Sequence, residues 1–401
     1  MDRRDFLKKA GVGLASTSAL GLAAAESPPL PATGCQSPPA GAPFSLPLVR
    51  AQSDRIIAIT VCTRPFRAAG PRIETERLGR KTLVHNYGHG GSGWSLSWGS
   101  GALAMRHVLN TRVREIAVIG CGVIGLTSAL LAQRAGLKVR IYAKDRPPEV
   151  RSILATGNWS PNSRFCSLEG CTPEVANRWE EMARISFRTY QFMLGLPGEP
   201  IEWRDGYYVS DGVGSLDAHL AEGEPEYPDL DSRIADLGPR SETLAPGTHP
   251  FPTAIARRYT IMVFNISAYS RMLMQDFLAA GGVIETREFE KPEDIARLRE
   301  KTVINATGYG ARALFGDESI VPVRGQIVRL IPQPEVTYGL FYPDRFYMLP
   351  RRDALILQTQ ARGDFGNADV TPDRAAAERT VQDLAELNAR IRGNGTGTAN
   401  G

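Results

Sequence analysis

Residues 120–125 read Gly-Cys-Gly-Val-Ile-Gly, a G-x-G-x-x-G turn that decides the fold of this chain. The turn directly follows a strand-like apolar run, residues 116–119, and opens a helix-like run over residues 126–133. An isolated match to this pattern is as readily a tight turn without a ligand, but a strand before it and a helix after it are typical of a dinucleotide site. The sequence therefore predicts cofactor-binding residues at Gly120, Gly122, Val123, Ile124 and Gly125.

The second strand of this βαβ unit is predicted over residues 138–142 and is followed by Asp145. An acidic residue near the end of this strand commonly binds ribose hydroxyls, although the spacing here is slightly long. Strands that alternate with helices favour an α/β fold with a Rossmann-type domain. Strand-rich segments in the middle of the chain indicate a second, substrate-binding domain with a mixed or antiparallel sheet.

The predicted organisation follows from these patterns. The N-terminal segments are residues 1–25, a signal peptide, and residues 26–53, a proline-rich linker. The cofactor-binding domain comprises residues 54–165 and 267–320, and the substrate domain residues 166–266 and 321–371. Residues 372–393 are predicted as a C-terminal helix and residues 394–401 as a flexible tail rich in Gly, Asn and Thr.

The composition is that of an ordinary globular protein, with 42% hydrophobic and 22% charged residues among 401. A net charge of +4 without any Lys/Arg run argues against a nucleic-acid partner. Beyond the N-terminus no apolar stretch reaches the roughly 18–20 residues of a membrane-spanning helix. We therefore expect no stable membrane anchor.

The first residues have the pattern of a twin-arginine signal peptide. Arg3 and Arg4 lead a basic segment, residues 10–22 form an apolar run rich in Gly and Ala, and residues 23–25 offer a cleavage site of three alanines. A basic N-terminus that arose by chance is the alternative. The pattern predicts export by the twin-arginine machinery, so the protein would be periplasmic or secreted.

Cysteine and histidine spacings give no metal-binding pattern. The five cysteines contain no CxxC pair. His85 and His89 are four residues apart, but the glycines around His89 suit a loop better than a metal-bearing helix. Cys166 and Cys171 could form a disulfide in an exported protein or remain buried thiols, and the sequence leaves both open.

Residues 84–99 (VHNYGHGGSGWSLSWG) resemble the flavin-contacting loop of the D-amino-acid oxidase family. Further similarity lies in residues 64–67 (RPFR), 322–326 (PVRGQ) and 346–350 (FYMLP). In the family the flavin loop is close to the C-terminus, whereas here it precedes the nucleotide turn. The chain is therefore identified as a circularly permuted member, and the resemblance implies FAD as the cofactor.

The resemblance also assigns roles to particular residues. Arg64 would grip the substrate carboxylate through two parallel hydrogen bonds, and Tyr347 would contact the substrate above the flavin. A structural arginine and a core tyrosine are the respective alternatives. The residues expected against FAD in its two further turns are Thr156, Gly157, Gly90, Gly91, Ser92, Gly93 and Trp94. The last five would present backbone N–H groups at a helix start.

The implied activity is FAD-dependent oxidative deamination of D-amino acids, in which hydride passes from the α-carbon to flavin N5 and dioxygen is reduced to hydrogen peroxide. The products would be 2-oxo acids and ammonia. An FAD-dependent oxidase or dehydrogenase of glycine, D-aspartate, another secondary amine or a modified amino acid is the alternative. A catalytically silent flavoprotein and an NAD-dependent dehydrogenase are two further possibilities.

Substrate choice stays open at this stage. The second, lid tyrosine of the family has no match, and Tyr338 or Tyr342 could replace it. An acidic substrate would need a further cation, for which Arg345 and Arg351 are candidates. The sequence also leaves open whether the protein is a monomer or a homodimer.

Overall fold

The structure is a computed structural model that describes residues 44–212, 223–359 and 364–396. The predicted signal peptide and most of the predicted linker lie outside the described residues, as does the end of the predicted tail. The strands are β1 Ile56–Arg67, β2 Arg72–Leu78, β3 Lys81–Tyr87, β4 Glu115–Ile119, β5 Lys138–Ala143, β6 Ile201–Ser210, β7 Glu242–Thr243, β8 Ile255–Phe264, β9 Val283–Thr286, β10 Thr302–Asn305, β11 Ile320–Leu330, β12 Gly339–Tyr342, β13 Phe346–Pro350 and β14 Leu355–Thr359. The α-helices are α1 Gly93–Asn110, α2 Val123–Arg134, α3 Pro173–Gln191, α4 Ile266–Ala279, α5 Pro292–Ala296, α6 Ala311–Phe315 and α7 Arg374–Thr396.

A six-stranded sheet contains the strand that leads into the glycine turn. Its order is β2-β3-β10-β4-β5-β9, and every neighbouring pair is parallel except β2 with β3. The central strand β4 is buried from Ile116 to Ile119, as expected for a parallel strand covered on both faces. The helix α2 follows β4 and returns the chain to β5. The predicted α/β fold with a Rossmann-type unit is thus confirmed.

The helix α1 is central to the packing of this half of the molecule. It begins at Gly93, directly after the glycine-rich turn. Two glycines allow neighbouring helices to approach it closely: a Cβ at Gly99 would lie 2.1 Å from Met182 O of α3, and one at Gly101 would lie 3.5 Å from Ser128 Cα of α2. Tertiary packing therefore outweighs the low helix propensity of this glycine-rich stretch.

An eight-stranded sheet forms the second layer of strands. Its order is β1-β11-β14-β13-β12-β6-β8-β7, and all pairs are antiparallel except β12 with β6. β1 thus belongs to this sheet, although residues 54–165 are predicted as cofactor domain. Conversely α3, predicted within the substrate domain, shares one apolar core with α1 and α2. Sheet and helix membership follow long-range pairing, which periodicity along the chain does not reveal.

The described end of the predicted linker is part of the folded protein. Val49 is 2% exposed and packs in one core with Leu384 and Leu387 of α7. Asn388 of α7 donates to Val49 O (2.7 Å), and Tyr338 donates to Pro47 O (2.9 Å). Residues 44–53 are therefore anchored rather than a free linker, because their apolar side chains cover the eight-stranded sheet and α7.

At its other end the chain stays helical for longer than predicted. α7 extends to Thr396, three residues past the predicted end at 393, so the predicted tail begins within a helix. No helix among the described residues is long and apolar enough to cross a membrane.

Candidate active site

A cavity of about 1070 Å³ is lined by residues of both sheets and of the turns that follow β3, β4, β5 and β10. All predicted site residues line it except Gly125 and Ser92. The sequence patterns thus selected residues that are more than 250 positions apart, such as Arg64 and Tyr347, and that line one cavity in the folded chain. The roles of the individual residues remain predictions.

The G-x-G-x-x-G turn is held by contacts among its own residues and the neighbouring strand. Gly120 has φ +108°, and a Cβ there would lie 2.5 Å from Ala306 O. A Cβ at Gly125 would lie 2.0 Å from Gly120 O, so this residue closes the turn instead of lining the cavity. Gly122 precedes α2 and provides no side-chain cap. At the start of α2 Val123 N donates to Ser152 Oγ (3.3 Å), and the N–H group of Ile124 follows it in the cavity wall as part of an anion site.

In the turn before α1, not all of the backbone N–H groups that were predicted to face the flavin are available. Gly90 N donates to Pro65 O (2.9 Å), Gly91 N to Ser163 O (2.9 Å) and Ser92 N to His89 O (3.0 Å). These three N–H groups are thus already used within the protein. The N–H groups of Gly93 and Trp94, at the uncapped start of α1, have no acceptor among the described residues. They are the donors that remain for a flavin ring.

Ser152 links the two helix starts and was not predicted. Its Oγ accepts from Val123 N (3.3 Å) at the start of α2, and its carbonyl oxygen accepts from Trp94 Nε1 (2.7 Å) at the start of α1. Ser152 lies in the cavity wall. A lone serine in a short 3-10 helix, Arg151–Leu154, carries no sequence signal, so only the folded chain reveals this contact.

Arg64 lies on β1 with its guanidinium against the backbone of β11. Its Nη1 donates to Arg324 O (2.7 Å), and a Cβ at Gly325 would lie 2.3 Å from its Nη2. The guanidinium therefore packs against the backbone of Gly325, where the absence of a side chain leaves room for it. No other hydrogen bond of this guanidinium is present among the described residues. An arginine with unused donors in a cavity wall suits a carboxylate.

Tyr347 faces the cavity from the same sheet. Its hydroxyl is buried and has no hydrogen-bond partner among the described residues. Burial, with a further contribution from nearby Tyr259, raises the pKa of Tyr347 well above its usual value of 10. The hydroxyl is therefore protonated at neutral pH and available as a donor. A buried polar group without a partner is costly, which marks a place where a ligand should bind.

Strand pairing puts Arg64 and Tyr347 on one face of the eight-stranded sheet. Tyr347 pairs with Gln358, Gln358 with Ile327, and Ile327 with Thr60 of β1. Directly paired residues project to the same side, and Arg64 follows Thr60 by an even number of positions. Gln358 adds a polar group to this face and accepts from Thr156 Oγ1 (2.8 Å).

His89 takes part in a buried polar chain under the cavity. Burial lowers the pKa of His89 to about 3, so its ring is neutral. Ser100 Oγ donates to Asn86 Oδ1, which can only accept, so Nε2 of His89 must be the donor to Ser100 Oγ (2.6 Å). Nδ1 of His89 then carries the lone pair. Among the described residues no group of three or more His, Cys, Asp or Glu could hold a metal ion.

Several further candidates lie away from the cavity, and this corrects their expected roles. Tyr342 donates to Asp211 and Tyr338 to Pro47, so neither serves as a lid tyrosine; Phe341 lines the cavity instead. The same holds for the two proposed cations. Arg345 pairs with Asp383 (3.3 Å), and Arg351 is bound by Asp353 (2.6 Å) and by Ala155 O (2.9 Å). Cys166 and Cys171 are free thiols, and burial raises the pKa of Cys166.

The site fits a flavin dinucleotide in its size and its donors. The cavity runs from Asp145, beyond the end of β5, past the α2 and α1 helix starts to Arg64 and Tyr347. Close-packed glycines and two uncapped helix starts suit a pyrophosphate and an electron-rich ring. The residues that would hold FAD are therefore those of the two turns.

Comparison with known proteins agrees with this geometry. A family model described as FAD dependent oxidoreductase (DAO) matches residues 115–393. The chain is 29% identical to a D-amino-acid oxidase of Rubrobacter xylanophilus over 289 residues, which cover 70% of this chain and 79% of that protein. A D-amino-acid oxidase of Streptomyces coelicolor is also 29% identical, with the same coverage of both chains.

A solved structure supports the fold. Glycine oxidase from Bacillus cereus superposes with a TM-score of 0.50 at 15% identity, covering 70% of this chain and 80% of that chain. At this identity the likeness concerns the fold alone. The match over residues 115–393, together with the cavity that its glycine turns enclose, establishes that this chain belongs to the DAO family of FAD-dependent oxidoreductases.

Proposed function

We propose that the protein is a D-amino-acid oxidase, which converts D-amino acids with dioxygen into 2-oxo acids, ammonia and hydrogen peroxide. The observation that carries the proposal is the pairing of Arg64, with unused guanidinium donors, and Tyr347, with a buried unpartnered hydroxyl, on one face of the cofactor cavity. The similarity to relatives named D-amino-acid oxidase supports it.

The chain's own residues position the substrate in this scheme. Arg64 lies flat against Gly325 and offers parallel N–H donors, so it fixes the orientation of a carboxylate as well as its position. Protonated Tyr347 donates a further hydrogen bond from the neighbouring strands. FAD, when held by the residues of the two glycine turns, would supply the redox chemistry as a hydride acceptor. The N–H groups of Gly93 and Trp94 stabilise negative charge at the start of α1.

The test is oxygen uptake and peroxide formation by the FAD-loaded protein with matched D- and L-amino acids, glycine and N-methylglycine. Arg64→Met should lower kcat/KM at least about a hundredfold, because the charge-assisted pair is lost. Tyr347→Phe should lower it about tenfold. Arg77→Met, on an exposed part of β2, is the matched control and should change nothing.

Each outcome separates the candidates. Turnover of D-amino acids that disappears in Arg64→Met supports the proposal. Equal turnover of L-amino acids, or a preference for glycine, contradicts it. Flavin bleaching under anaerobic conditions without oxygen uptake identifies a dehydrogenase instead.

We also propose export by the twin-arginine route to the periplasm. The support is Arg3 and Arg4 ahead of an apolar run and an alanine-rich cleavage site, all outside the described residues. Fractionation of cells that express the full chain should find the flavoprotein in the periplasm. Replacing Arg3 and Arg4 by lysine should keep it in the cytoplasm, and export that persists in this variant argues against the route.

We propose, finally, that the chain is a circular permutant of the family. The family match begins at Glu115, the start of β4, although β1, β2 and β3 lie upstream and complete both sheets. The segment before β1 and the helix α7, which would be the chain ends created by the permutation, are in contact, since Asn388 of α7 donates to Val49 O. A chain joined from 396 to 44 and opened between Asn110 and Glu115 should bind FAD with unchanged affinity. A folded product that no longer binds FAD contradicts the proposal.

A further inference from the structure

We infer that the amino acid oxidised by this enzyme carries an acidic side chain and that Arg164 is the residue that binds it. The inference rests on the proposed function, because it concerns the part of the cavity next to the carboxylate anchor Arg64. Neither arginine considered from the sequence for this role, Arg345 or Arg351, lines the cavity, whereas Arg164 does.

Backbone contacts connect Arg164 with the strand that carries Arg64. The carbonyl oxygen of Arg164 lies so close to Gly90 that a Cβ there would be 1.9 Å from it. Gly90 N in turn donates to Pro65 O (2.9 Å), the residue after Arg64. Arg164 has φ +49°, an uncommon conformation for a residue with a side chain, and such strain is concentrated at functional sites.

Side-chain contacts also connect Arg164 with the strand that carries Arg64. The guanidinium carbon of Arg164 lies 5.9 Å from the centre of the Tyr227 ring, and Tyr227 packs edge-on against Phe66 with ring centres 5.9 Å apart. Phe66 and Arg64 project from the same face of β1, because they are two residues apart on a strand. The contact between Tyr227 and Phe66 thus connects the two arginines: Arg164 lies near Tyr227, and Arg64 lies beside Phe66 on β1.

Arg164 is held in place and still has donors for a ligand. Its Nε donates to Glu224 Oε1 (2.9 Å), which also accepts from the Tyr227 hydroxyl (2.7 Å). A guanidinium has five N–H donors, so this contact leaves others for a second carboxylate. The side chain is 29% exposed, and Arg164 is one of the residues that line the cavity.

The charges that line the cavity divide into two groups. The group beyond β5 and β9 and beside the nucleotide turns contains both signs: Lys144, Asp145, Arg151, Arg287, Glu288 and Glu290. Among the residues that the structure describes, the group at the Arg64 end consists of Arg64 and Arg164. Glu224 is bound to Arg164 and Asp364 is paired with Arg324 (3.9 Å), and neither carboxylate lines the cavity. At the Arg64 end of the cavity the lining charges are therefore positive. They favour an anionic group at each guanidinium and disfavour a cationic side chain.

The first test compares kcat/KM for D-glutamate with D-glutamine and for D-aspartate with D-asparagine. Each pair has nearly the same shape and differs in charge. The wild-type FAD-loaded enzyme should prefer the acid about ten- to a hundredfold, as a charge-assisted pair provides. Arg164→Met should abolish this preference while the neutral substrates change less than about threefold. Arg345→Met, an exposed arginine outside the cavity, should behave as the wild type.

A binding measurement separates this inference from the proposed function. Succinate and butyrate have no α-amino group to oxidise, and their binding is followed through the flavin absorption spectrum. Succinate should bind at least about tenfold more tightly than butyrate, and this difference should be lost in Arg164→Met. If it is found but no amino acid is oxidised, the acidic site stands and the oxidase proposal fails.

Two results would overturn the inference: a wild-type enzyme that uses the neutral partner of each pair as well as the acid, or an Arg164→Met variant that retains the preference. If Arg164→Met fails to bind FAD, Arg164→Lys keeps the charge and should retain the preference in part. The wild-type comparison of the paired substrates decides the substrate class in either case.

Discussion

The two helix starts at the cofactor cavity use glycine in different ways. At α2 Gly125 contacts its own turn, since a Cβ there would lie 2.0 Å from Gly120 O, while a Cβ at Gly120 would lie 2.5 Å from Ala306 O after β10. At α1 a Cβ at Gly90 would lie 1.9 Å from Arg164 O, which is more than 70 positions away in the sequence. The third glycine of the G-x-G-x-x-G spacing thus serves a local structure, whereas the glycines before α1 belong to a contact between two distant segments.

The largest effect is expected at the local turn, from Gly125→Ala. The added Cβ has no room because the opposing atom is backbone within the same turn, so the turn must open. We expect a loss of about 3 kcal/mol in the free energy of unfolding, together with severely weakened FAD binding. Denaturant titration and equilibrium FAD titration measure the two effects.

Gly238→Ala serves as the control for this variant. A Cβ at Gly238 meets nothing within 4 Å, and its φ is not positive, so stability should change by less than about 0.5 kcal/mol. If Gly125→Ala binds FAD as well as Gly238→Ala does, the turn does not depend on this close approach.

A smaller effect is expected from Gly90→Ala at the other helix start. The contact with Arg164 O adds to the backbone strain of φ +55°, but Arg164 lies in a different turn of the chain rather than within the same tight turn. We expect about 2 kcal/mol of destabilisation. Gly79→Ala is a close control, because Gly79 has φ +57° and nothing within 4 Å of its Cβ position. The difference between the two variants measures the Arg164 contact, and equal destabilisation would show that the contact costs nothing.

The same contrast explains what the sequence could predict. Strand, turn and helix around residues 116–133 are set by neighbouring residues, so the α/β fold and the FAD site were predictable. Arg64 and Tyr347 were found through motifs of a family resemblance. Arg164, Ser152 and Gln358 reach the cavity only through long-range contacts, which no spacing in the chain encodes.

Wrong expectations have the same origin. Tyr338 was a plausible lid residue by its position in the sequence, yet its hydroxyl is bound by Pro47 O in a segment predicted as a free linker. Arg351 follows the YMLP motif directly, but Asp353 and backbone carbonyls occupy its donors. For Tyr338 the partner, Pro47 O, is too distant in sequence to be foreseen, whereas Arg351 is bound both by the nearby Asp353 and by the distant Ala155 O.

The two helix starts should also differ in their response to pH, because only the one before α1 includes a buried histidine. The folded state keeps His89 neutral down to about pH 3, while in the unfolded chain it protonates near 6.5. Between these values the unfolded state binds more protons, so the stability contribution of neutral His89 is present above pH 6.5 and is lost as the pH falls. The slope should approach about 1.4 kcal/mol per pH unit.

His89→Gln keeps a donor for Ser100 and cannot titrate, so its free energy of unfolding should fall less steeply between pH 6.5 and 4.5 than that of the wild type. Carboxylates contribute equally to both proteins and cancel in the comparison. Parallel pH profiles would mean that His89 is accessible to protons in the folded state.

The smallest predicted effect tests the long-range contact most directly. A Cβ at Gly91 would lie 2.4 Å from Ser163 Oγ, the end of a side chain that can rotate, so Gly91→Ala should cost only about 1 kcal/mol. Ser163→Ala removes that Oγ, and in the double variant the cost of Gly91→Ala should fall by about half, since Ser163 O at 3.0 Å still limits the space. Additive effects would place the strain within the turn itself, as at α2, and would remove the distinction between the two helix starts. A measurable coupling would show that the glycines before α1 are there for the loop at residues 163–164, which also carries Arg164 to the cavity.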